Sequence, residues 1–167
     1  MKKTALLVII LLLLGQPVSY ASYAVIDGHT TRIFYASSPH VKRPIASLTK
    51  MWTALVVIEN AELDELVTVS KKATLSEGSS IYLKEGEQVT VNELLHGLMM
   101  RSGNDAAMAL AEHVGGSEQG FVFLMNERAK RAGLRNTTFT NPSGLHHDEH
   151  LSTAYDTAKM LQIAMRN

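Results

Sequence analysis

The chain has 167 residues, of which 16 are basic, 16 are acidic and none is cysteine. The balanced charge argues against a nucleic-acid-binding surface, which needs a basic stripe, and the lack of cysteine excludes a disulfide framework and a thiol nucleophile. The length and the 46% of hydrophobic residues suit one domain of ordinary size, or most of one.

The first residues have the pattern of a secretory signal peptide. Lys2 and Lys3 precede an uninterrupted apolar run over residues 5–14, and small residues before position 22 offer a cleavage site. The run is shorter than the ~20 residues that span a bilayer. We therefore predict a signal peptide over residues 1–21 and an exported chain over residues 22–167, with an uncleaved membrane anchor as the alternative.

The rest of the chain predicts a mainly helical domain with a few strands at its start. A β-hairpin is expected over residues 23–36, around the turn Asp27-Gly28. Further strands are expected at residues 66–69, 81–83 and 137–140, and helices at residues 47–59, 90–101, 105–114, 117–132 and 153–167. Nothing downstream clearly supplies the rest of a sheet for the hairpin.

Ser47 and Lys50 lie at the start of an uncharged helix. Residues three apart on a helix share a face, so an amine at position 50 can reach a hydroxyl at position 47. Residues 51–58 carry no charge, which predicts burial on all sides. Burial without a carboxylate lowers the pKa of a lysine from about 10.4 and favours the neutral amine. This pattern indicates a base beside a nucleophile; alternatively, Ser47 caps the helix and Lys50 reaches water.

A second polar group, Ser102-Gly103-Asn104, separates two apolar helices. Gly103 lets the chain turn, so that Ser102 and Asn104 project from a loop held by packed helices on both sides. The alternative is that Asn104 caps the second helix and Asp105 favours its positive end. The functional interpretation of Ser102 and Asn104 is strengthened because Ser47 and Lys50 precede them in the same chain.

Other residues invite functional interpretations that we consider weaker. The run His146-His147-Asp148-Glu149-His150 could ligate zinc, but neighbours this close along a loop rarely converge on one ion, and we expect a solvated loop near the cleft. We expect Trp52 to serve packing. The same is expected of the methionines at positions 51, 99, 100, 108, 125, 160 and 165.

The segments Ala46–Met51 and Leu98–Ala107 together resemble the low-molecular-weight penicillin-binding proteins, and more narrowly the serine D-alanyl-D-alanine carboxypeptidases of peptidase family S11. Residues 77–83, 139–145 and 152–156 are similar to that family as well. The second motif is Ser-Gly-Asn, where class A β-lactamases carry Ser-Asp-Asn. The resemblance implies an α+β fold of the β-lactamase/DD-peptidase type, present here mostly as its helical subdomain with the first β-hairpin of its antiparallel sheet.

The resemblance also implies a role for each motif residue. Ser47 would attack the carbonyl of the penultimate D-alanine and become an acyl-enzyme, and Lys50 would take the serine proton as general base. Ser102 would pass a proton toward the departing D-alanine nitrogen. Asn104 would orient Lys50 and a substrate amide carbonyl. Water would then release the shortened peptide, penicillin would acylate the same serine, and no metal or organic cofactor is implied.

The family has a third motif, Lys-Thr-Gly or Lys-Ser-Gly, which does not occur in the 167 residues. It would lie some tens of residues beyond Asn167, on a strand that supplies one of two oxyanion-hole amides. Losing one such donor costs about 10²–10³ in rate. We therefore expect residues 22–167 to be a truncated DD-peptidase catalytic domain, weakly active or inactive alone, from a gene whose full-length product is a carboxypeptidase.

The expected partners are a peptidoglycan stem peptide ending in D-Ala-D-Ala and β-lactam antibiotics as covalent inhibitors, with no nucleic acid. The expected location is extracytoplasmic, at the cell wall, with membrane association only through an uncleaved signal or a missing C-terminal segment. Two alternatives stay open: a β-lactamase or esterase of the same superfamily, and a non-catalytic cell-wall-binding remnant.

Overall fold

The computed structural model describes residues 21–166, so the predicted signal peptide lies almost wholly outside the described residues. Within these described residues the strands are β1 Tyr23–Ile26, β2 Ile33–Ser37, β3 Arg43–Pro44, β4 Leu66–Thr68, β5 Gln88–Thr90 and β6 Leu151–Ser152. The α-helices are α1 Thr49–Ile58, α2 Lys71–Thr74, α3 Val91–Arg101, α4 Asn104–Gly115, α5 Glu118–Arg131 and α6 Ala154–Ala164. None of these helices is long and apolar enough to cross a bilayer.

Helix α1 is the centre of the helical part. It packs against α3, α4, α5 and α6, and its side chains from Trp52 to Val57 are buried. This burial follows from the uncharged run, since a helix that is apolar on all sides must be covered on all sides. The indole nitrogen of Trp52 donates to the carbonyl of Met125 at 3.1 Å, and its ring stacks on Phe139. Trp52 therefore serves packing, as predicted.

Side-chain caps set the starts of three surrounding helices. At α3, Thr90 Oγ1 accepts from the Glu93 amide and the Glu93 carboxylate accepts from the Thr90 amide, which forms a capping box. Ser117 caps α5 and Thr153 caps α6 through the side-chain oxygen alone, which accepts from the amides of Gly120 and Asp156. These helices lie close to the predicted ranges because the capping residues are visible in the sequence.

The strands form three separate antiparallel pairs, β1 with β2, β3 with β6, and β4 with β5. The predicted hairpin is confirmed. Two other predicted strands are wrong. Residues 81–83 form no strand, because the amides of Ile81 and Leu83 donate to a carboxylate of α4. Residues 137–140 contribute only an isolated bridge from Thr138 to Leu151.

The prediction that the methionines fill the core is only partly right. Met125 and Met160 are fully buried. Met99, Met100 and Met165 expose 52%, 79% and 78% of their surface. Helical spacing shows that residues lie on one face of a helix, but it does not show that another element of the chain buries that face.

Candidate active site

The two residues of the first motif occupy different environments. Ser47 is exposed in a 3₁₀ turn, Ala46–Leu48, directly before α1, and it caps neither helix. Lys50, in the first turn of α1, is only 4% exposed. Burial lowers the pKa of the Lys50 ammonium from its ordinary value. The alternative in which Lys50 reaches water is therefore wrong.

The Lys50 amine is held by a backbone carbonyl. Its Nζ donates to the oxygen of Ser143 at 2.8 Å, and no salt bridge among residues 21–166 involves Lys50. A direct hydrogen bond to Ser47 is not among the contacts of the described residues. A neutral amine that donates one N–H to a carbonyl keeps its lone pair for a second partner, so this arrangement suits a base.

The Ser102-Gly103-Asn104 turn lies against Ser47. Ser102 follows the last residue of α3 in the left-handed conformation, with φ 56° and ψ 32°, and its hydroxyl donates to the hydroxyl of Ser47 at 3.2 Å. Because a non-glycine residue rarely adopts this conformation, the surrounding packing must impose it. A groove of about 720 Å³ is lined by Ser47, Lys50 and Ser102 together.

Asn104 lies deeper than its neighbour. It is 7% exposed, and it is the first residue of α4, with Gly103 in the cap position, so the alternative that Asn104 caps the helix is wrong. Its Nδ2 donates to the carbonyl of Glu77, while its buried Oδ1 has no partner among the described residues. No hydrogen bond joins Asn104 to Lys50 within residues 21–166. Asn104 also lines a second groove, of about 640 Å³, on the side of Ser143.

Asp105 organises the backbone beside the site through several hydrogen bonds. From the sequence we predicted only that it favours the positive end of the helix. Its buried carboxylate accepts hydrogen bonds from the Ser80 hydroxyl and from the amides of Ile81, Leu83 and Ala106. Burial raises the pKa of this carboxyl, but the hydrogen bonds outweigh it and leave the pKa below its ordinary value. Asp105 thereby fastens residues 80–83 beside the Ser-Gly-Asn turn.

The turn that carries the Ser143 carbonyl is also organised by a side chain. Asn141 Oδ1 accepts from the amides of Ser143, Gly144 and Leu145 at 3.2, 2.7 and 3.1 Å. Gly144 has φ +84°, and a Cβ there would lie 1.9 Å from the Ala46 carbonyl oxygen. Nothing in the sequence indicated that this turn contacts Lys50.

The histidine-rich loop divides into two parts. Residues 145–149 are exposed, as the predicted solvated loop requires. His150 is 2% exposed and bonded inside the protein, so for this residue the prediction is wrong. No group of three metal-ligating side chains occurs within residues 21–166.

The fold is that of the penicillin-binding DD-peptidases. The structure superimposes on the D-alanyl-D-alanine carboxypeptidase DacD of Francisella tularensis with a TM-score of 0.84 and 37% identity, over 91% of this chain and 38% of that one. For the DD-transpeptidase of Streptomyces K15 the TM-score is 0.82 and the identity 34%, over 91% of this chain and 64% of that one. The predicted fold class is confirmed.

A sequence model of the D-alanyl-D-alanine carboxypeptidases, peptidase family S11, matches residues 15–167. The carboxypeptidase DacF of Bacillus subtilis is 40% identical over 144 residues, which are 83% of this chain and 37% of that protein. The chain belongs to this family, as its motifs predicted. It spans well under half the length of DacF.

Proposed function

We propose that this chain carries the acylation machinery of a serine D-Ala-D-Ala carboxypeptidase. Ser47 is the nucleophile, Lys50 the general base, Ser102 the proton relay, and Asn104 the residue that orients Lys50 and a substrate amide. The observation that carries the proposal is the buried amine of Lys50, with no acid paired to it among the described residues, beside a serine pair in hydrogen-bond contact.

The reaction begins when Lys50 takes the proton of the Ser47 hydroxyl and the Ser47 oxygen bonds to the carbonyl carbon of the penultimate D-alanine. The negative charge that develops on the carbonyl oxygen faces the Ser47 amide. The carbon–nitrogen bond then breaks, and the proton held by Lys50 reaches the departing nitrogen through Ser102. Water finally hydrolyses the ester and restores Ser47.

The same site accounts for the proposed partners. A peptidoglycan stem peptide ending in D-Ala-D-Ala is the substrate, and a β-lactam acylates Ser47 in its place because its strained amide presents an equivalent carbonyl. We place the protein outside the cytoplasmic membrane, at the cell wall, on the signal-peptide pattern of residues 1–21. No Lys-Thr-Gly or Lys-Ser-Gly occurs in the sequence, so we expect little turnover from residues 22–167 alone.

Labelling with fluorescent penicillin tests the proposal. The full product of the gene is incubated with the label, and a peptide ending in D-Ala-D-Ala is assayed for released D-alanine. We expect one label per chain and D-alanine release, both lost in Ser47→Ala, while Ser37→Ala, in the hairpin strand β2, retains them. Rapid penicillin hydrolysis without lasting label would favour a β-lactamase. Labelling equal in wild type and Ser47→Ala, or none in either, would refute the proposal.

A further inference from the structure

His150 is a buried titratable residue with no part in the reaction described above. Its ring packs edge-on against Phe139, and both ring nitrogens have partners. Nε2 lies 2.7 Å from the hydroxyl of Thr49, and Nδ1 lies 3.1 Å from the amide nitrogen of Thr140. A histidine bonded on both sides inside a core is a fixed structural link and not a member of a solvated loop.

The partners determine the state of the ring. A backbone amide can only donate, so Nδ1 must accept from Thr140 and cannot carry a proton. The ring proton therefore sits on Nε2, which donates to Thr49 Oγ1. Burial, followed by the nearby His147, lowers the pKa of His150 to about 4, in agreement with a neutral ring near neutral pH.

The link joins the two ends of one loop to the helix that carries the lysine. Thr140 and His150 are the first and last residues of the loop, and the backbone of Thr138 pairs with Leu151 just outside it. Thr49 directly precedes Lys50 in α1. One imidazole thus closes the neck of the loop and fastens that neck to the first turn of α1.

Inside the loop, the Ser143 carbonyl accepts the hydrogen bond from Lys50 Nζ at 2.8 Å. One further side chain of α1, Thr53, donates to the adjacent carbonyl of Pro142 at 2.7 Å. The lysine acceptor is therefore positioned by contacts on both sides of it, Thr53 toward the core and His150 at the neck.

We propose that His150 is a positioning residue for Lys50: by tying the loop of residues 140–150 to Thr49, it holds the Ser143 carbonyl against the amine and keeps water away from it. This inference rests on the proposed function for its catalytic meaning, but the geometry it describes can be measured without catalysis. A role in stability alone would leave the properties of Lys50 unchanged.

Substitutions at His150 and Thr49 separate a positioning role from a role in stability alone. His150→Gln keeps one donor and one acceptor on a side chain of similar length. His150→Leu still fills much of the volume of the ring but loses both hydrogen bonds. Thr49→Val removes the helix side of the link with almost no change of volume and serves as a second variant if His150→Leu does not fold.

The readout is the pKa of Lys50, obtained from competitive labelling with trace acetic anhydride across pH and mass spectrometry of the Lys50 peptide in the full product of the gene. Since burial is what lowers this pKa, His150→Leu and Thr49→Val should raise it and slow penicillin acylation at neutral pH at least tenfold. His150→Gln should stay within about threefold of wild type.

An unchanged Lys50 pKa in both His150→Leu and Thr49→Val would overturn the inference, whatever happens to their melting temperatures. Equal loss of acylation in His150→Gln and His150→Leu would overturn it as well. If wild type is not acylated by penicillin, the proposed function fails, and the anhydride titration still decides whether His150 controls Lys50.

Discussion

The hydroxyl of Ser102 donates a hydrogen bond to the hydroxyl of Ser47 across 3.2 Å, although 55 residues separate them along the chain. Ser47 lies just before α1 and Ser102 just after α3, and these two helices pack against each other in the core. The contact between the two motifs is therefore set by helix packing, and it requires Ser102 to adopt an unfavourable left-handed backbone conformation.

Replacing Ser102 by glycine or by alanine separates that strain from the chemistry. Both changes remove the hydroxyl, but only glycine adopts φ 56° without a steric penalty. We expect Ser102→Gly to be more stable than Ser102→Ala by roughly 1 kcal/mol. Penicillin acylation should fall by about 10²–10⁴ in both, which is typical of a lost proton relay.

Urea unfolding and stopped-flow acylation measure the two effects. Ser79→Ala, an exposed serine outside the groove that holds Ser47, is the control and should change neither. Acylation at the wild-type rate in Ser102→Gly would show that the hydroxyl takes no part in the reaction.

The lowered pKa of Lys50 gives stability a defined dependence on pH. In the unfolded chain this amine holds its proton up to about pH 10.4, whereas in the folded protein burial makes it release the proton at lower pH. The unfolded state thus binds more protons between the folded pKa and the unfolded pKa. The free energy of unfolding contributed by Lys50 should rise with pH through that window and level off above it.

Lys50→Met is expected to remove this rise and to reduce penicillin acylation by about 10²–10⁴. Denaturant unfolding between pH 7 and pH 10, with Lys42→Met as the exposed control, measures the difference. Identical slopes for Lys50→Met and wild type would mean that the folded and unfolded pKa values are the same.

Asp105 should be the most costly polar residue to alter near the site. Asp105→Ala leaves four donors without their acceptor. Because each buried donor left unsatisfied costs about 1–3 kcal/mol, we expect a loss of at least about 3 kcal/mol. Asp105→Asn keeps the shape but turns one acceptor into a donor that faces other donors, so we expect a loss of about 1–3 kcal/mol.

Asp148→Asn is the matched control, since this side chain is 98% exposed and should change stability by less than about 0.5 kcal/mol. Thermal and urea unfolding compare the three variants. A loss in Asp105→Ala no larger than in the control would contradict the central place of this carboxylate.

The prediction from sequence succeeded where the signal is local. The uncharged run of α1 predicted its burial, and Thr90 and Thr153 marked helix starts because caps act over three residues. It failed where the partner is distant. The strand at residues 81–83 was wrong because Asp105 takes the amides that a neighbouring strand would take.

The site divides along the same line. Ser47 and Lys50 were visible in the sequence because they lie only three residues apart. The contact of Lys50 with the Ser143 carbonyl, and of His150 with Thr49 101 residues away, arises from packing between elements. In both contacts the partners lie too far apart along the chain for a local sequence pattern to reveal them.

The turn at Gly144 provides the most direct test of how Ser47 is held. Gly144→Ala would place a Cβ 1.9 Å from the carbonyl oxygen of Ala46, the residue before Ser47. Gly116→Ala is a matched control, because its φ of +68° imposes a similar backbone penalty while no atom beyond its own chain neighbours lies within 4 Å of the added carbon.

We expect Gly116→Ala to lose about 1–2 kcal/mol through backbone strain alone, with normal acylation. Gly144→Ala should lose at least about 1 kcal/mol more, as overpacked sites do, and should acylate at least tenfold more slowly, because the clash must displace either the Ser47 turn or the Ser143 carbonyl. Urea unfolding and penicillin acylation of the two variants, measured side by side, check both. Equal stability and equal acylation would show that the contact between Gly144 and Ala46 does not hold Ser47 in place.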